Sequence, residues 1–325
     1  MRAAQITRLD GPGAVEVNEI AAPTPGRGQL LIDVAAAGVT FPEVLLSRGL
    51  YQLKPELPFV PGSEVAGLVA EAPAGSGYAV GDRVAAFPGF GGFAEQVAVD
   101  PAFVFPLPDA LTLEQGAALP MNYLTCHFAL RTRGQLQAGE NVLVHGAAGG
   151  IGTAAIQLAK AWGARVIGVV SGPDRVDVAR EAGADEVVLA DGFLASVKDL
   201  TGGRGVDVVV DPVGGDRFTD SLRSLGALGR LLVIGFTAGS IPEVKVNRLL
   251  LGNISVMGVG WGAYWMGAGG PAFLRQQWDE LVPLMESGAI DPPIGVVRDL
   301  DEVGAVIADL EERRATGKIL LRLSH

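Results

Sequence analysis

Four glycines, Gly146, Gly149, Gly150 and Gly152, follow directly on the apolar run 142–144 and lead into the helix-like stretch TAAIQLAKAWG. Glycine in such a turn lets the main chain approach a pyrophosphate, and the unpaired N–H groups and dipole of the helix start then point at it. Against the pattern G-x-G-x-x-G, Ala147 takes the first glycine position, with Gly149 and Gly152 in the other two. That match is weak alone. A second apolar run, 165–170, follows at the spacing of a βαβ unit, so the stretch reads as strand, tight turn, helix, strand, and as a dinucleotide site rather than a structural glycine turn. Ile151, Ala155, Leu158, Ala159 and Trp162 recur at helical spacing and are expected to face the sheet.

The residues after the second strand speak to which dinucleotide. A site for NAD places Asp or Glu about 20 residues beyond the glycines, to hold the ribose 2′-hydroxyl. Here that position is Ser171, and Ser171-Gly172-Pro173-Asp174-Arg175 supplies a hydroxyl and then a guanidinium, groups suited to a 2′-phosphate. The expectation is NADPH, held by Ser171 and Arg175. The alternative is that Arg175 is a solvated residue of the next helix and Asp174 takes the ribose.

These residues need a scaffold, and the chain is long enough for two domains with sizeable cores: 325 residues, 49% apolar and 19% charged. No apolar run reaches the roughly 18 residues that span a bilayer, so no membrane segment is expected. The opening MRAAQITRLDGPG passes straight into a strand-like pattern without a signal core, so export is not expected either. A single cysteine, Cys126, allows no intramolecular disulfide and fits a cytoplasmic address. The net charge of −11, with cationic residues scattered, speaks against nucleic acid as a partner.

Residues 1 to about 120 alternate short β-like runs with Gly and Pro turns, strands being expected at 29–38, 63–71 and 93–99. A helical stretch from Thr112 through Leu130 leads into the glycine turn. Strands are then expected at 141–146, 165–170, 186–189, 206–210, 230–235 and 254–258 with helices between them, which implies a parallel, doubly wound sheet. Helices near 271–287 and 300–316 precede a last strand, 318–323, expected to return to the first domain.

The segments AAGVTFPEVLLSRGLY (36–51), LPFVPGSEVAGLV (57–69), VGDRVAAF (80–87), GGFAEQVAVD (91–100), LTCHFAL (124–130), VLVHGAAGGIG (142–152), DPVGGDRF (211–218) and RRATGKILL (313–321) together resemble one family. It is the medium-chain dehydrogenase/reductase superfamily, and within it the zinc-free quinone oxidoreductase (zeta-crystallin-like) branch. The resemblance implies an α/β fold: a GroES-like β-rich catalytic domain over 1–122, a Rossmann NADP-binding domain over 123–259, and a return of the catalytic domain over 260–325, enclosing a cleft. It also implies a homodimer joined through edge strands of the Rossmann sheet, for which the run 254–258 is suited.

Zinc-dependent relatives use an early Cys, a Gly-His-Glu and often a four-Cys lobe, since Zn²⁺ takes thiolate and imidazole ligands. This chain reads Val39-Thr40 and Gly62-Ser63-Glu64 there and lacks the lobe, so no metal is expected. His127, His145 and His325 read as packing or solvated histidines, and Cys126 as a small buried hydrophobe. Without a Lewis acid the fitting acceptor is one whose reduced anion is delocalised, a quinone or an α,β-unsaturated carbonyl.

By resemblance Ala147, Gly149, Gly150, Ile151 and Gly152 would wrap the pyrophosphate, and Ser171 with Arg175 the 2′-phosphate, where relatives commonly carry Lys at the position of Arg175. Thr125 would hold the nicotinamide carboxamide; Phe236, Thr237, Val259 and Trp261 would flank the nicotinamide ribose and ring; Arg314 would reach the cofactor from the tail. Thr40 would also bind the cofactor, standing where relatives often carry Asn near the cleft; Leu45 stands where some carry Tyr, and Ala190 where another Tyr borders the 2′-phosphate. Tyr51 remains as a catalytic hydroxyl donor, with an edge-of-core tyrosine as the alternative. Trp261, Tyr264 and Trp265 would line an acceptor pocket or pack as a hinge. The activity expected is an NADPH-dependent quinone oxidoreductase. The alternatives are an enal, enone or enoyl-thioester reductase, and a low-turnover NADPH-binding structural or regulatory protein. An enoyl-CoA enzyme would need cationic residues at the cleft mouth, which the acidic balance does not favour.

Overall fold

The computed structural model describes residues 1–323, so the expectation for His325 lies outside the described residues. The chain forms two units, one of residues 1–121, 269–286 and the tail from 294, the other of 122–268 and 287–293.

The strands of the first segment are β1 (Arg2–Ile6), β2 (Val15–Glu19), β3 (Leu30–Val39), β4 (Glu64–Glu71), β5 (Arg83–Ala86), β6 (Gln96–Val99) and β7 (Val104–Pro106). Those of the second unit are β8 (Asn141–His145), β9 (Arg165–Val170), β10 (Glu186–Leu189), β11 (Val206–Asp211), β12 (Leu225–Val233) and β13 (Ser255–Gly258); β14 (Ile294–Asp299) and β15 (Lys318–Arg322) close the chain. The helices are α1 (Phe41–Ser47), α2 (Leu113–Ala117), α3 (Pro120–His127), α4 (Gly150–Ala161), α5 (Val176–Glu181), α6 (Phe193–Leu200), α7 (Phe218–Ser224), α8 (Asn247–Gly252), α9 (Trp261–Tyr264), α10 (Gly270–Glu286) and α11 (Val303–Glu311).

In the first unit β14, β15, β3, β4, β5 and β7 lie side by side, with β6 also paired to β3, and β1 with β2 forms a separate ribbon. The tail strand β15 runs antiparallel to β3, Ile319 opposite Val39. Apolar residues alternate on these strands and fill one core that includes Ile32, Val65, Phe93 and Leu321, closed by Val303 and Ile307 of α11. This is the GroES-like part of an α/β protein.

The second unit holds a parallel sheet in the order β10-β9-β8-β11-β12-β13. Its strands are near-continuous apolar runs because helices cover both faces, and Leu143, Ile167, Val209 and Leu231 form the centre of its core. Succession moves outward from β8 through β9 and β10 on one side and from β11 on the other, so the switch in direction falls between β8 and β11. Parallel strands bring their following loops to one edge, and a ligand crevice opens at such a switch.

Two expectations are corrected here. The stretch 112–130 is not one helix: α2 ends before Pro120, which lacks an N–H and opens α3 as its first residue, and Phe128–Arg133 continues as a wider turn in which Gly134 N–H reaches Ala129 O at 2.7 Å. Nor is α4 buried along a single stripe. Ala155, Leu158 and Ala159 are buried as expected, but so are Thr153, Ala154, Ile156 and Gln157, while Ile151 and Trp162 are only part-buried. Small residues let neighbours close over the outer side: Tyr123 OH donates to Gln157 Oε1 at 2.6 Å and Gln157 Nε2 to Asp291 O at 2.6 Å. Among the described residues no helix is long and apolar enough to cross a membrane.

Candidate functional site

The glycine turn lies between the end of β8 and the first turn of α4, at the switch point. Gly146 has φ +60°, a left-handed conformation that L side chains rarely adopt. Gly149 is the residue before the helix, and the Thr153 hydroxyl donates back to its carbonyl at 3.1 Å. A Cβ on Gly152 would drive into the Gly146 carbonyl and stand 2.7 Å from Ala147 Cα, so the third glycine of the pattern is required by main-chain approach. One on Gly150 would meet the Asn122 amide of α3. The helix start therefore carries no side chain of its own at Gly149, Gly150 or Gly152, and its N–H groups can face an anion.

The neighbouring strand ends supply the rest of the rim. After β9 come exposed Ser171 and part-buried Arg175, whose Nε lies 3.8 Å from Asp174 Oδ2. After β11, Asp211 Oδ1 accepts the N–H groups of Val213 and Gly214, each at 2.9 Å. After β12, Thr237 N–H donates to Pro212 O at 3.1 Å, and Phe236 covers Gly214, where a Cβ would lie 2.9 Å from its ring. After β13, Val259 N–H donates to Val233 O at 2.9 Å. Thr125 is buried in α3, whose Cys126 Sγ reaches Ile151 O at 3.4 Å and so seats this helix beside the first turn of α4. Trp261 is buried and its ring lies 6.2 Å from that of Trp265, while exposed Tyr264 packs 5.0 Å from Phe128.

Sequence reasoning put Thr40, Tyr51 and Arg314 with these residues; they belong to the other unit. Arg314 is half exposed and ion-paired with Asp309 and Glu312 of its own segment. Thr40 precedes α1, and its N–H donates to Glu43 Oε2 at 2.8 Å while its hydroxyl bonds the same oxygen. Ser63 Oγ lies 3.3 Å from Glu43 Oε1. Glu64, fully buried, is ion-paired with buried Lys318 of β15 and accepts Met121 N–H on Oε2 at 2.7 Å. Burial raises the Glu43 carboxyl above its usual range, and burial followed by the charge of Glu43 raises the phenol of part-buried Tyr51. Glu43 and Lys318 went unremarked in the sequence, and Glu64 was noted only as part of Gly62-Ser63-Glu64. Thr40-x-x-Glu43 is a capping-box signature that would have found the first; nothing local marks Glu64 and Lys318 as partners across the chain.

Cys126 is an inert buried thiol whose pKa burial drives up. His145, at the end of β8, donates or accepts at Nε2 with Ser221 Oγ at 2.8 Å and packs edge-on against Phe193. Among the described residues no group of three or more His, Cys, Asp or Glu could hold a metal ion.

Two family models match the chain: "Alcohol dehydrogenase GroES-like domain" over residues 26–109 and "Zinc-binding dehydrogenase" over 150–287. A Bos taurus protein named quinone oxidoreductase-like protein 2 is 39% identical over 99% of this chain and 92% of its own length. The crystal structure of a probable oxidoreductase from Mycobacterium abscessus superposes with a TM-score of 0.90 at 44% identity, covering 99% of this chain and 98% of that one. That of Escherichia coli quinone oxidoreductase complexed with NADPH has a TM-score of 0.90 at 29% identity, covering 99% and 100%.

Proposed function

Since the chain belongs to the quinone oxidoreductases of the medium-chain dehydrogenase/reductase superfamily, we propose that it is an NADPH-dependent reductase that passes hydride to a quinone without a metal ion. The observation that carries the reading is the strand-end rim around a glycine turn whose third glycine admits no Cβ, with Arg175 beyond the second strand. The residues fit the cofactor. The backbone of Ala147, Gly149, Gly150, Ile151 and Gly152 binds the pyrophosphate, and Ser171 with Arg175 binds the 2′-phosphate. Asp174 beside Arg175 is exposed, its carboxylate 3.8 Å from the guanidinium Nε.

Thr125 holds the carboxamide, while Phe236, Thr237, Val259 and Trp261 fix the nicotinamide end. NADPH supplies the hydride. The chain's own contribution is orientation and exclusion of water, because a quinone's reduced anion is already delocalised. Thr40 and Ser63 bear hydroxyls where zinc-dependent relatives bear thiolate and imidazole, and a hydroxyl is a poor zinc ligand. Val246, Leu250 and Leu251 on or beside α8, with Leu228, are large apolar residues left exposed next to the edge strand β13, which supports a homodimer through that edge. A cytoplasmic address goes with the same reading.

The test follows NADPH absorbance with 9,10-phenanthrenequinone, 1,4-benzoquinone and a medium-chain enal side by side, before and after a chelator. Oxidation with the quinones, unchanged by the chelator, is expected. Turnover of the enal alone, or loss of activity on chelation, would replace the proposal.

A further inference from the structure

No side chain of its own segment caps the start of α4. Gly149 brings none to the open N–H groups and the first turn holds no acidic residue, so the positive end of this 12-residue helix is left uncompensated. The side chain that stands against it comes from α3, in the same unit. The three atoms nearest to where a Cβ on Gly150 would lie all belong to the Asn122 amide, Nδ2 first, with Cγ and Oδ1 behind it at 3.3 and 3.5 Å. Asn122 is only 6% exposed, and its amide forms no hydrogen bond with any described residue.

The amide is held where it is. Cys126, one turn further along the same face of α3, donates to Ile151 O at 3.4 Å, and Tyr123 OH donates to Gln157 Oε1 at 2.6 Å, so α3 is tied to α4 at two points. A buried amide without a partner costs free energy. An asparagine beside a helix start ordinarily turns its oxygen to the open N–H groups as a cap. Here the nitrogen is the end that faces the helix start. Donors from a side chain and from the main chain converge on one place, an arrangement that an anion's oxygens satisfy and that a cation or an apolar group does not. The glycine pattern agrees. Gly152 cannot carry a Cβ because of the main chain of Gly146 and Ala147, whereas at Gly150 the obstacle is this amide. The sequence keeps room for an amide that no described residue uses.

We propose that Asn122 is a coenzyme-binding residue whose Nδ2 donates to the diphosphate, at the phosphate nearer the nicotinamide. The inference rests on the coenzyme reading above, in which the backbone of 147–152 binds the diphosphate and Thr125 holds the carboxamide. Thr125 lies three residues after Asn122 and so on the same face of α3, which sets the two side chains to serve successive groups of the nicotinamide half. Asn122 moves no proton. It binds a phosphate and so aligns the ring that the same half carries.

The test compares wild type with Asn122→Ala, Asn122→Leu and Asn122→Asp by calorimetric titration with NADPH, 2′-phosphoadenosine 5′-diphosphate and adenosine 2′,5′-bisphosphate. The last of these lacks the phosphate in question. Asn122→Ala and Asn122→Leu should each weaken the first two ligands about 20-fold, the worth of a hydrogen bond to a charged group, and hardly change the third. Asn122→Asp should weaken the first two roughly 100-fold, because a carboxylate there repels the phosphate and takes the same N–H groups. In urea, ligand-free Asn122→Leu should unfold no earlier than wild type, since it removes an unpartnered amide at nearly constant volume.

Unchanged NADPH affinity in the Ala and Leu variants would overturn the assignment, as would equal loss for all three ligands, which would make the amide a shaper of the turn. Loss for NADPH but not for the diphosphate would move the contact to the nicotinamide ribose. Earlier unfolding of ligand-free Asn122→Leu would make the amide structural. Should wild type bind neither NADPH nor NADH, the coenzyme reading itself fails and this inference with it; a wild type that binds NADPH no better than the Ala and Leu variants do leaves that reading standing and ends this one alone.

Discussion

In the second unit the polar centre is made of main chain: a contiguous run from Gly146 to Gly152 presents backbone groups, its side chains are absent or small except at Ile151, and neither Gly150 nor Gly152 has room for a Cβ. In the first unit the polar centre is made of side chains drawn from α1, β4 and β15, with Lys318 254 residues away from Glu64. The two differ in what they tolerate. A backbone site fails when an atom is added, whereas a side-chain site survives an isosteric change but fails when a partner is removed and a buried charge is stranded.

The largest expected effect tests the second half of that contrast. Lys318→Met leaves Glu64 buried without its cation and should cost about 3–5 kcal/mol of stability. Adding Glu64→Gln, which keeps an oxygen for Met121 N–H, should recover most of the loss in the double variant. Urea denaturation of the three proteins measures both. Equal loss in single and double variants would mean that packing, not charge, decides this site. The first half is tested by Gly152→Ala. One methyl group against the Gly146 carbonyl should cost about 3 kcal/mol in the same assay and abolish detectable NADPH binding by fluorescence titration. A variant that still binds NADPH would show that the turn has slack.

The rim offers a side-chain exception within the backbone site. Arg175→Ala should weaken NADPH by about 2 kcal/mol, roughly 30-fold, the worth of a charge-assisted hydrogen bond, while hardly changing NADH. Calorimetric titration with each coenzyme reads the difference. Equal loss for both would move the 2′-phosphate elsewhere and return Asp174 to the ribose.

The same contrast explains what could be read in advance. The turn was visible because a contiguous stretch wrote its conformation, and the parallel sheet followed from apolar runs alternating with helical spacing. The break at Pro120 was legible and overlooked: a proline inside a helical pattern marks a first turn. The burial of α4 on its outer side was not, since Gln157 gives no sign that Tyr123 and Asp291 will enclose it. Glu64 and Lys318 look like ordinary surface charges in the chain, and only the antiparallel return of β15 onto β3 brings them together. Sequence period reports which face is apolar; it says nothing of which polar groups will meet beneath the surface.

His145 gives the smallest effect and the finest division between the two centres, because it is a buried side chain set directly under the backbone turn. The Ser221 hydroxyl lies 2.8 Å from His145 Nε2 and 3.1 Å from Arg217 O, and His145 Nδ1 is buried with no hydrogen-bond partner among the described residues. Burial lowers the imidazole from its ordinary value to about 4, with Arg217 acting the same way and Asp211 against. A histidine whose folded pKa is depressed contributes its stability above the unfolded pKa and loses it as pH falls, because the unfolded chain takes up the proton first. Between about pH 7 and pH 5.5 the loss should be roughly 1 kcal/mol. The change in stability across that interval should therefore be smaller by this amount in His145→Gln than in wild type, as urea denaturation at the two pH values would measure. Because the ring is held by Ser221 of α7 rather than by the turn, NADPH affinity at pH 7 should be nearly unchanged in the variant. A large loss of affinity instead would mean that the turn draws its shape from the side chains beneath it and is not set by its own backbone.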